Sequence, residues 1–221
     1  GTVGSGVWKS LEEHGGLIES RSQGSAVMKI RKIGVRDLLK KREGSAPAEL
    51  FTTNLMEVVE DPSVDIVVEL IGGTEAAFHL VAEALKAGKP VVTGNKALLA
   101  ERGTELFAIS KATNTPIYFE AAVAGGIPII KAVQQSLVGN QIESIAGIIN
   151  GTSNFILQRM TEAGLGYPEA LKEAKDLGYA EADETLDVNG WDAAHKAILL
   201  GSIAHGFLIN YKNVYVRGIE K

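Results

Sequence analysis

The segment Gly178-Tyr-Ala-Glu181-Ala-Asp183-Glu-Thr-Leu-Asp187-Val-Asn-Gly190-Trp-Asp192-Ala-Ala-His195-Lys196 is the densest run of ionisable side chains in the chain. Several carboxylates precede Gly190 in a stretch without helical periodicity. Such an acidic loop usually only solvates a surface. Here, however, Asp192 and Lys196 stand at i and i+4 on the start of an apolar helical run, so they share a face. An ion pair at that place is more often structural than catalytic. A partly buried lysine there is nonetheless a candidate proton donor.

A second pattern opens the chain: Gly1-Thr2-Val3-Gly4-Ser-Gly6-Val-Trp. Gly1 and Gly4 have the spacing of the second and third glycines of a G-x-G-x-x-G dinucleotide fingerprint. The second glycine lets the backbone approach a pyrophosphate, and the third lets helix and strand pack closely. The following helix amino terminus offers N–H groups and a partial positive charge. A glycine-rich turn that merely begins a helix has the same pattern. Further on, an apolar stretch ends Val35-Arg36-Asp37, followed by Lys40, Lys41 and Arg42. An arginine at this point can neutralise a 2′-phosphate with paired donors, which favours NADP. Asp37 leaves NAD open, and a solvated basic loop is the plain alternative.

These residues need elements to place them. Residues 25–35, 64–71, 90–93 and 116–120 read as strands, and 75–87 and 97–112 as helices. The run 64–71, apolar except at Asp65 and Glu69, reads as a strand of a parallel sheet covered on both faces. Apolar positions 77, 80, 81, 84 and 85 keep helical spacing and stop at Gly88. Alternating strand and helix predicts an α/β, Rossmann-type doubly wound parallel sheet over residues 1–125. Residues 126–221 differ. They read as helices over 128–138, 153–163, 168–177 and 193–209, the last broken near Gly206, with a strand over 142–149. This predicts a second, α+β domain for substrate binding and dimerisation.

Composition narrows the classes further. The chain has 221 residues, 45% hydrophobic and 22% charged, which suits a globular protein. Its net charge of −5 argues against a sequence-tolerant nucleic-acid binder. No apolar run reaches the roughly 18 residues of a membrane span. Cysteine is absent, which excludes thiolate nucleophiles, thiolate metal sites and disulfides, and suits a reducing, cytoplasmic compartment.

The 178–196 segment resembles the signature of the homoserine dehydrogenase family. Gly1-Thr2-Val3-Gly4, Gly94-Asn-Lys96-Ala, Glu120-Ala-Ala-Val-Ala-Gly-Gly-Ile-Pro128 and Asn150-Gly-Thr-Ser-Asn154 resemble further family segments in the expected order. The resemblance implies NAD(P)-dependent interconversion of L-homoserine and L-aspartate 4-semialdehyde, a step of threonine, methionine and isoleucine biosynthesis. It implies Lys196 as the acid/base residue, Asp192 orienting substrate beside it, and Lys96 near the nicotinamide and the reacting end. Glu181 would receive the substrate's α-ammonium in a loop with Gly178 and Asp187. Gly1, Thr2, Val3, Gly4 and Thr74 would contact the cofactor. Glu120, Val123, Gly125 and Ile127 would hold a monovalent cation, which the resemblance implies is sodium; a glycine-rich hinge between domains is the bland alternative. Residues 150–154 would form a turn and helix cap. A homodimer is implied, as are a first strand before Gly1 and a return segment after Lys221. A non-catalytic NADP-binding regulatory protein is the rival class. A semialdehyde dehydrogenase with an acyl intermediate is disfavoured by the missing cysteine.

Overall fold

The computed structural model describes residues 1–24, 27–40, 46–180 and 183–220. It divides into two compact units: Gly1–Asn95 with Glu105–Tyr118, and Lys96–Thr104 with Phe119–Lys221. The turn at residues 120–127, placed by sequence at the edge of the first domain, belongs wholly to the second unit.

The first unit holds α1 (Thr2–Arg21), β1 (Ile33–Gly34), β2 (Phe51–Thr52), α2 (Met56–Glu60), β3 (Val67–Glu69), α3 (Glu75–Lys86), β4 (Val91–Thr93) and β5 (Ile117–Tyr118). The helix α4 (Lys96–Thr113) begins in the second unit and ends in the first. All strand pairs are parallel, in two ladders: β1 with β2, and β3-β4-β5 in that order. The parallel strands β3, β4 and β5 are joined through α3 and α4, which is the expected Rossmann-type α/β arrangement. The doubly wound sheet is thus present as two ladders among the described residues.

Helix α3 shows why sequence predicts it well. Ala77, Leu80, Val81, Ala84 and Leu85 form one stripe, and each is at most 6% exposed. Gly88, at φ +72°, closes the helix: its N–H donates to Leu85 O at 3.0 Å, and Lys89 N–H donates to Ala84 O at 2.9 Å. These two bonds are the Schellman pair, which needs a left-handed residue. Leu85 is fully buried. Leu85→Ala is expected to cost about 2–5 kcal/mol in urea unfolding of the full-length protein. A loss below about 1 kcal/mol would mean that the site collapses around the truncated side chain.

Three sequence expectations change here. The strand expected over 25–35 is only Ile33–Gly34, with residues 25–26 outside the described set. The run 64–71 forms a strand only at Val67–Glu69, and it alternates: Val67 and Glu69 are buried, while Ile66 is 51% and Val68 47% exposed. One face of β3 is covered and the other is open, so the apolar residues Ile66, Val67 and Val68 reflect β-propensity rather than two buried faces. Helix α1 buries none of its residues, and no atom lies within 4 Å of a Cβ built on Gly4. The close helix–strand approach expected at Gly4 is not made by any described strand.

In the second unit, α5 (Ile129–Lys131) widens into a π-helical turn at Ala132–Ser136. Then follow α6 (Gly151–Glu162), α7 (Tyr167–Asp176), α8 (Thr185–Val188) and α9 (Trp191–His205). Helices α6 and α7 close over Ile156, Ala170 and Ala174, joined by Ala180 and Val188. Phe155 stacks on Tyr179 with ring centroids 4.4 Å apart. The strand expected over 142–149 is not formed: these residues have no ladder partner among the described residues, and Ile148 is 79% exposed. Apolar alternation states a preference, and a strand needs a partner to hydrogen-bond. Among the described residues the regular elements of this unit are helices. The last helix starts two residues earlier than its sequence pattern and ends at His205, where Gly206 turns left-handed at φ +72°. No helix among the described residues is long and apolar enough to cross a membrane.

Candidate active site

Gly190, at φ +90°, swings the chain from α8 into α9. One turn into α9, Lys196 Nζ donates to Asp192 Oδ2 at 2.6 Å, the i,i+4 pair expected from sequence. Lys96, the first residue of α4, approaches the other oxygen, Asp192 Oδ1, at 3.0 Å. One carboxylate therefore sits between two ammonium groups. Lys196 spends a second N–H on the Ile149 carbonyl at 2.7 Å. An ammonium has three donors, so among the described residues one N–H of Lys196 remains for a ligand.

Burial by itself would raise the Asp192 carboxyl, but hydrogen bonds from Lys196, Asn150 and Lys96 outweigh it and hold the group below the usual carboxylate range. Asp192 is thus an anion at neutral pH. His195 lies on another face of α9, 5% exposed, with Nε2 3.7 Å from Glu101 Oε1 and its ring 5.8 Å from that of Trp191. Burial pushes this imidazole below the ordinary histidine value, against the pull of Glu101, so it is neutral at pH 7 and serves packing.

Asp187 reaches the cluster indirectly. Asn150 Nδ2 lies 2.7 Å from Asp187 Oδ1 and 2.8 Å from Asp192 Oδ2. Asn150 also caps α6, its Oδ1 accepting the Ser153 N–H at 2.7 Å, as the expected turn and cap at 150–154 require. Gly178 is the left-handed residue closing α7 at φ +78°, with Tyr179 N–H donating to Ala174 O at 2.8 Å. Glu181 lies outside the described residues.

In the first unit, the carboxyl ends of the strands carry the expected nucleotide residues. Arg36 follows β1, and its guanidinium donates to the Ile71 carbonyl at 3.3 Å. That carbonyl enters the turn Gly72-Gly73-Thr74, whose glycines take φ +71° and +73° and which leads into α3 at Thr74. Arg36 and the Thr74 turn are thus brought together. Gly1, Thr2, Val3 and Gly4 form the start of α1, and among the described residues no hydrogen bond or ion pair joins them to Arg36 or Thr74. Lys41 and Arg42 lie outside the described residues.

Sequence reasoning missed Glu69. It is fully buried at the end of β3 and accepts from Thr93 Oγ1 at 2.6 Å and Ile71 N–H at 2.9 Å. Asn95 Nδ2 lies 3.5 Å from Glu69 and donates to Gly73 O at 2.7 Å. Glu69 therefore braces the glycine turn from beneath. The signal was a lone carboxylate interrupting an apolar strand.

Glu120, Val123, Gly125 and Ile127 fall in one turn of the second unit. The Glu120 carboxylate accepts the Ile130 N–H at 2.9 Å and the Lys131 N–H at 3.0 Å. Ile127 O already accepts the Ile129 N–H at 2.8 Å, whereas no backbone N–H among the described residues reaches Val123 O or Gly125 O. A carboxylate and backbone carbonyls are donor types that suit a hard cation, although here each Glu120 oxygen already accepts a backbone N–H. No group of three His, Cys, Asp or Glu among the described residues could hold a metal.

Parallel strands joined by helices, with glycine turns at the strands' carboxyl ends, define a Rossmann-type nucleotide-binding protein. The model of the homoserine dehydrogenase NAD-binding domain matches residues 1–120, and the homoserine dehydrogenase model matches residues 128–221. The chain belongs to the homoserine dehydrogenase family. It is 49% identical over 220 residues to homoserine dehydrogenase of Corynebacterium glutamicum, covering 100% of this chain and 49% of that protein. The crystal structure of a homoserine dehydrogenase from Thiobacillus denitrificans superposes with a TM-score of 0.90 at 48% identity, covering 100% of this chain and 50% of that one. A hyperthermophilic archaeal homoserine dehydrogenase in complex with NADPH is 32% identical, with a TM-score of 0.66 over 75% of this chain and 53% of that one. The chain spans about half the length of the curated relatives it matches.

Proposed function

We propose that the full-length protein interconverts L-aspartate 4-semialdehyde and L-homoserine with NADP(H), Lys196 acting as the acid/base residue. The observation that carries this reading is the cluster in which Asp192 and Ile149 O take two N–H groups of Lys196 and leave the third for a substrate oxygen. A bound nicotinamide supplies the hydride to the carbonyl carbon. Lys196 donates a proton to the carbonyl oxygen, so the aldehyde becomes an alcohol, and its charge stabilises the alkoxide as it forms. In the reverse direction the neutral amine takes the hydroxyl proton. Asp192 orients both lysines, and Lys96 adds a second positive charge at the reacting end. Glu181, with Gly178 and Asp187, would receive the zwitterionic end of the amino acid; a substrate ammonium calls for such a carboxylate.

The nucleotide residues fit the cofactor. Arg36 stands beside the glycine turn at a strand's carboxyl end, and Gly1, Thr2, Val3 and Gly4 open α1 with its first-turn N–H groups. Homologous nucleotide binding in the NADPH-bound archaeal relative supports the same choice. Glu120 with the Val123, Gly125 and Ile127 carbonyls would hold a monovalent cation such as sodium, as a structural brace. A homo-oligomer in the cytoplasm is the assembly and setting the family resemblance suggests.

The decisive experiment follows NADPH absorbance as the full-length protein meets L-aspartate 4-semialdehyde. Consumption matched to homoserine formation is expected; NADPH binding without consumption would overturn the reading. Arg36→Ala should weaken NADPH by about tenfold or more while leaving NADH almost unaffected, as one charge-assisted contact to the 2′-phosphate is lost. Equal losses for the two nucleotides in titration would remove Arg36 from that contact.

A further inference from the structure

The Asn150-Gly-Thr-Ser-Asn154 segment does more than start a helix. Its first residue is 9% exposed and every polar atom of its side chain is engaged. The amide nitrogen spans two carboxylates, Asp187 on α8 and Asp192 on α9, which no cation among the described residues bridges. The amide oxygen is held by the Ser153 N–H at 2.7 Å, so the amide cannot flip without losing the cap. Ser153 Oγ donates to Asp187 O at 2.8 Å, and Thr152 Oγ1 donates to Tyr179 O at 2.7 Å. The residue before Asn150 supplies the carbonyl that takes the second N–H of Lys196.

We propose that Asn150 is a positioning residue for the reaction: its amide fixes the Asp192 carboxylate, and its capped backbone fixes the Ile149 carbonyl, so that Lys196 presents its third N–H in one direction. The inference rests on the acid/base role of Lys196 proposed above. Two of the three directions of a tetrahedral ammonium are then set by acceptors, and both acceptors are held through Asn150. Without the amide, Asp192 keeps only its two lysines, and Asp187 and Asp192 face each other with nothing donating between them. The side chain of Asn150 is spent on Asp187, Asp192 and the Ser153 N–H, so cofactor affinity is expected to persist.

The test uses the full-length protein with NADPH and L-aspartate 4-semialdehyde. Serine and aspartate cap helices about as well as asparagine, but neither ionised aspartate nor the shorter serine can donate across both carboxylates. Asn150→Ser is expected to lower kcat on the order of 10- to 100-fold, the scale of a misplaced catalytic group, with KM for NADPH close to wild type. Asn150→Asp sets a third carboxylate against Asp187 and Asp192 and is expected to lose folding stability as well as kcat. A kcat near wild type in Asn150→Ser, or a loss confined to KM, would overturn the proposal. Should Asn150→Asp fail to fold, Asn150→Ser, which keeps the cap and adds no charge, decides alone. A wild-type protein without turnover would instead refute the assigned activity, and an active wild type with equally active variants would refute only the role of Asn150.

Discussion

Lys196→Met in the full-length protein is expected to abolish most of the turnover of L-aspartate 4-semialdehyde, by about 10²–10⁴ in kcat. Two contributions are lost together: the proton that completes the alcohol, and the positive charge beside the developing alkoxide. Methionine keeps much of the volume of the lysine stem, so packing along α9 is little disturbed. Asp192 is not stranded by the change, since Lys96 at 3.0 Å and Asn150 at 2.8 Å still serve it. NADPH affinity is therefore expected to stay at its wild-type value in fluorescence titration. Turnover by the variant equal to that of the wild type would take the acid/base role from Lys196.

Asp192→Ala acts on folding as well as on catalysis. The wild-type carboxylate is 10% exposed in its side chain, and it faces lysine side chains that are 17% and 34% exposed. Removing it leaves two ammonium groups close together and the Asn150 amide without one acceptor. Breaking a fully buried pair costs about 3–5 kcal/mol; water reaching Lys96 reduces this to about 2–3 kcal/mol here. The sign of the pH dependence follows from the lowered carboxyl. Its stabilisation is complete above the unfolded value of about 3.9 and is lost as pH falls through the lower folded value. Urea unfolding should accordingly show the full wild-type advantage at pH 7, and the two proteins should converge as the pH is taken below about 4. A difference that does not vary with pH would mean that the charge of Asp192 contributes nothing to folding. Turnover in the variant should fall as well, since both lysines lose their common anchor.

The parts of the molecule that were legible beforehand are the local ones. The apolar stripe of α3, its closing Gly88 and the Asp192–Lys196 pair each depend on residues within a few positions of one another. Helical geometry alone brings those residues to one face. Helix α9 was legible for the same reason, although the exact start at Trp191 waited on the left-handed Gly190. Arg36 is legible by its place at the end of an apolar stretch, and Thr74 through the family resemblance.

What misled was pattern without partner. Residues 142–149 have the alternation of a strand and lack a described ladder neighbour; residues 64–71 have the apolarity of a doubly buried strand, yet Val68 is half exposed. A backbone's extended preference is local, but its hydrogen bonds and its second cover are supplied from elsewhere in the chain. Glu69 escaped for the complementary reason. Its meaning lies in Thr93, 24 positions away, and nothing beside it in the chain points there.

The amino-acid sequence thus determined by itself the family, the nucleotide-binding class of the first unit, and the face on which a lysine and an aspartate stand together. Folding decided the rest of the site: Lys96 arriving at the second oxygen of Asp192, Ile149 O meeting Lys196 across 47 positions, and Asn150 spanning two carboxylates 37 and 42 positions away. The reason is range. Dihedral preferences and periodicity act over one or two turns, while the number and direction of the bonds an ammonium makes are set by whichever distant groups the packed chain delivers to it.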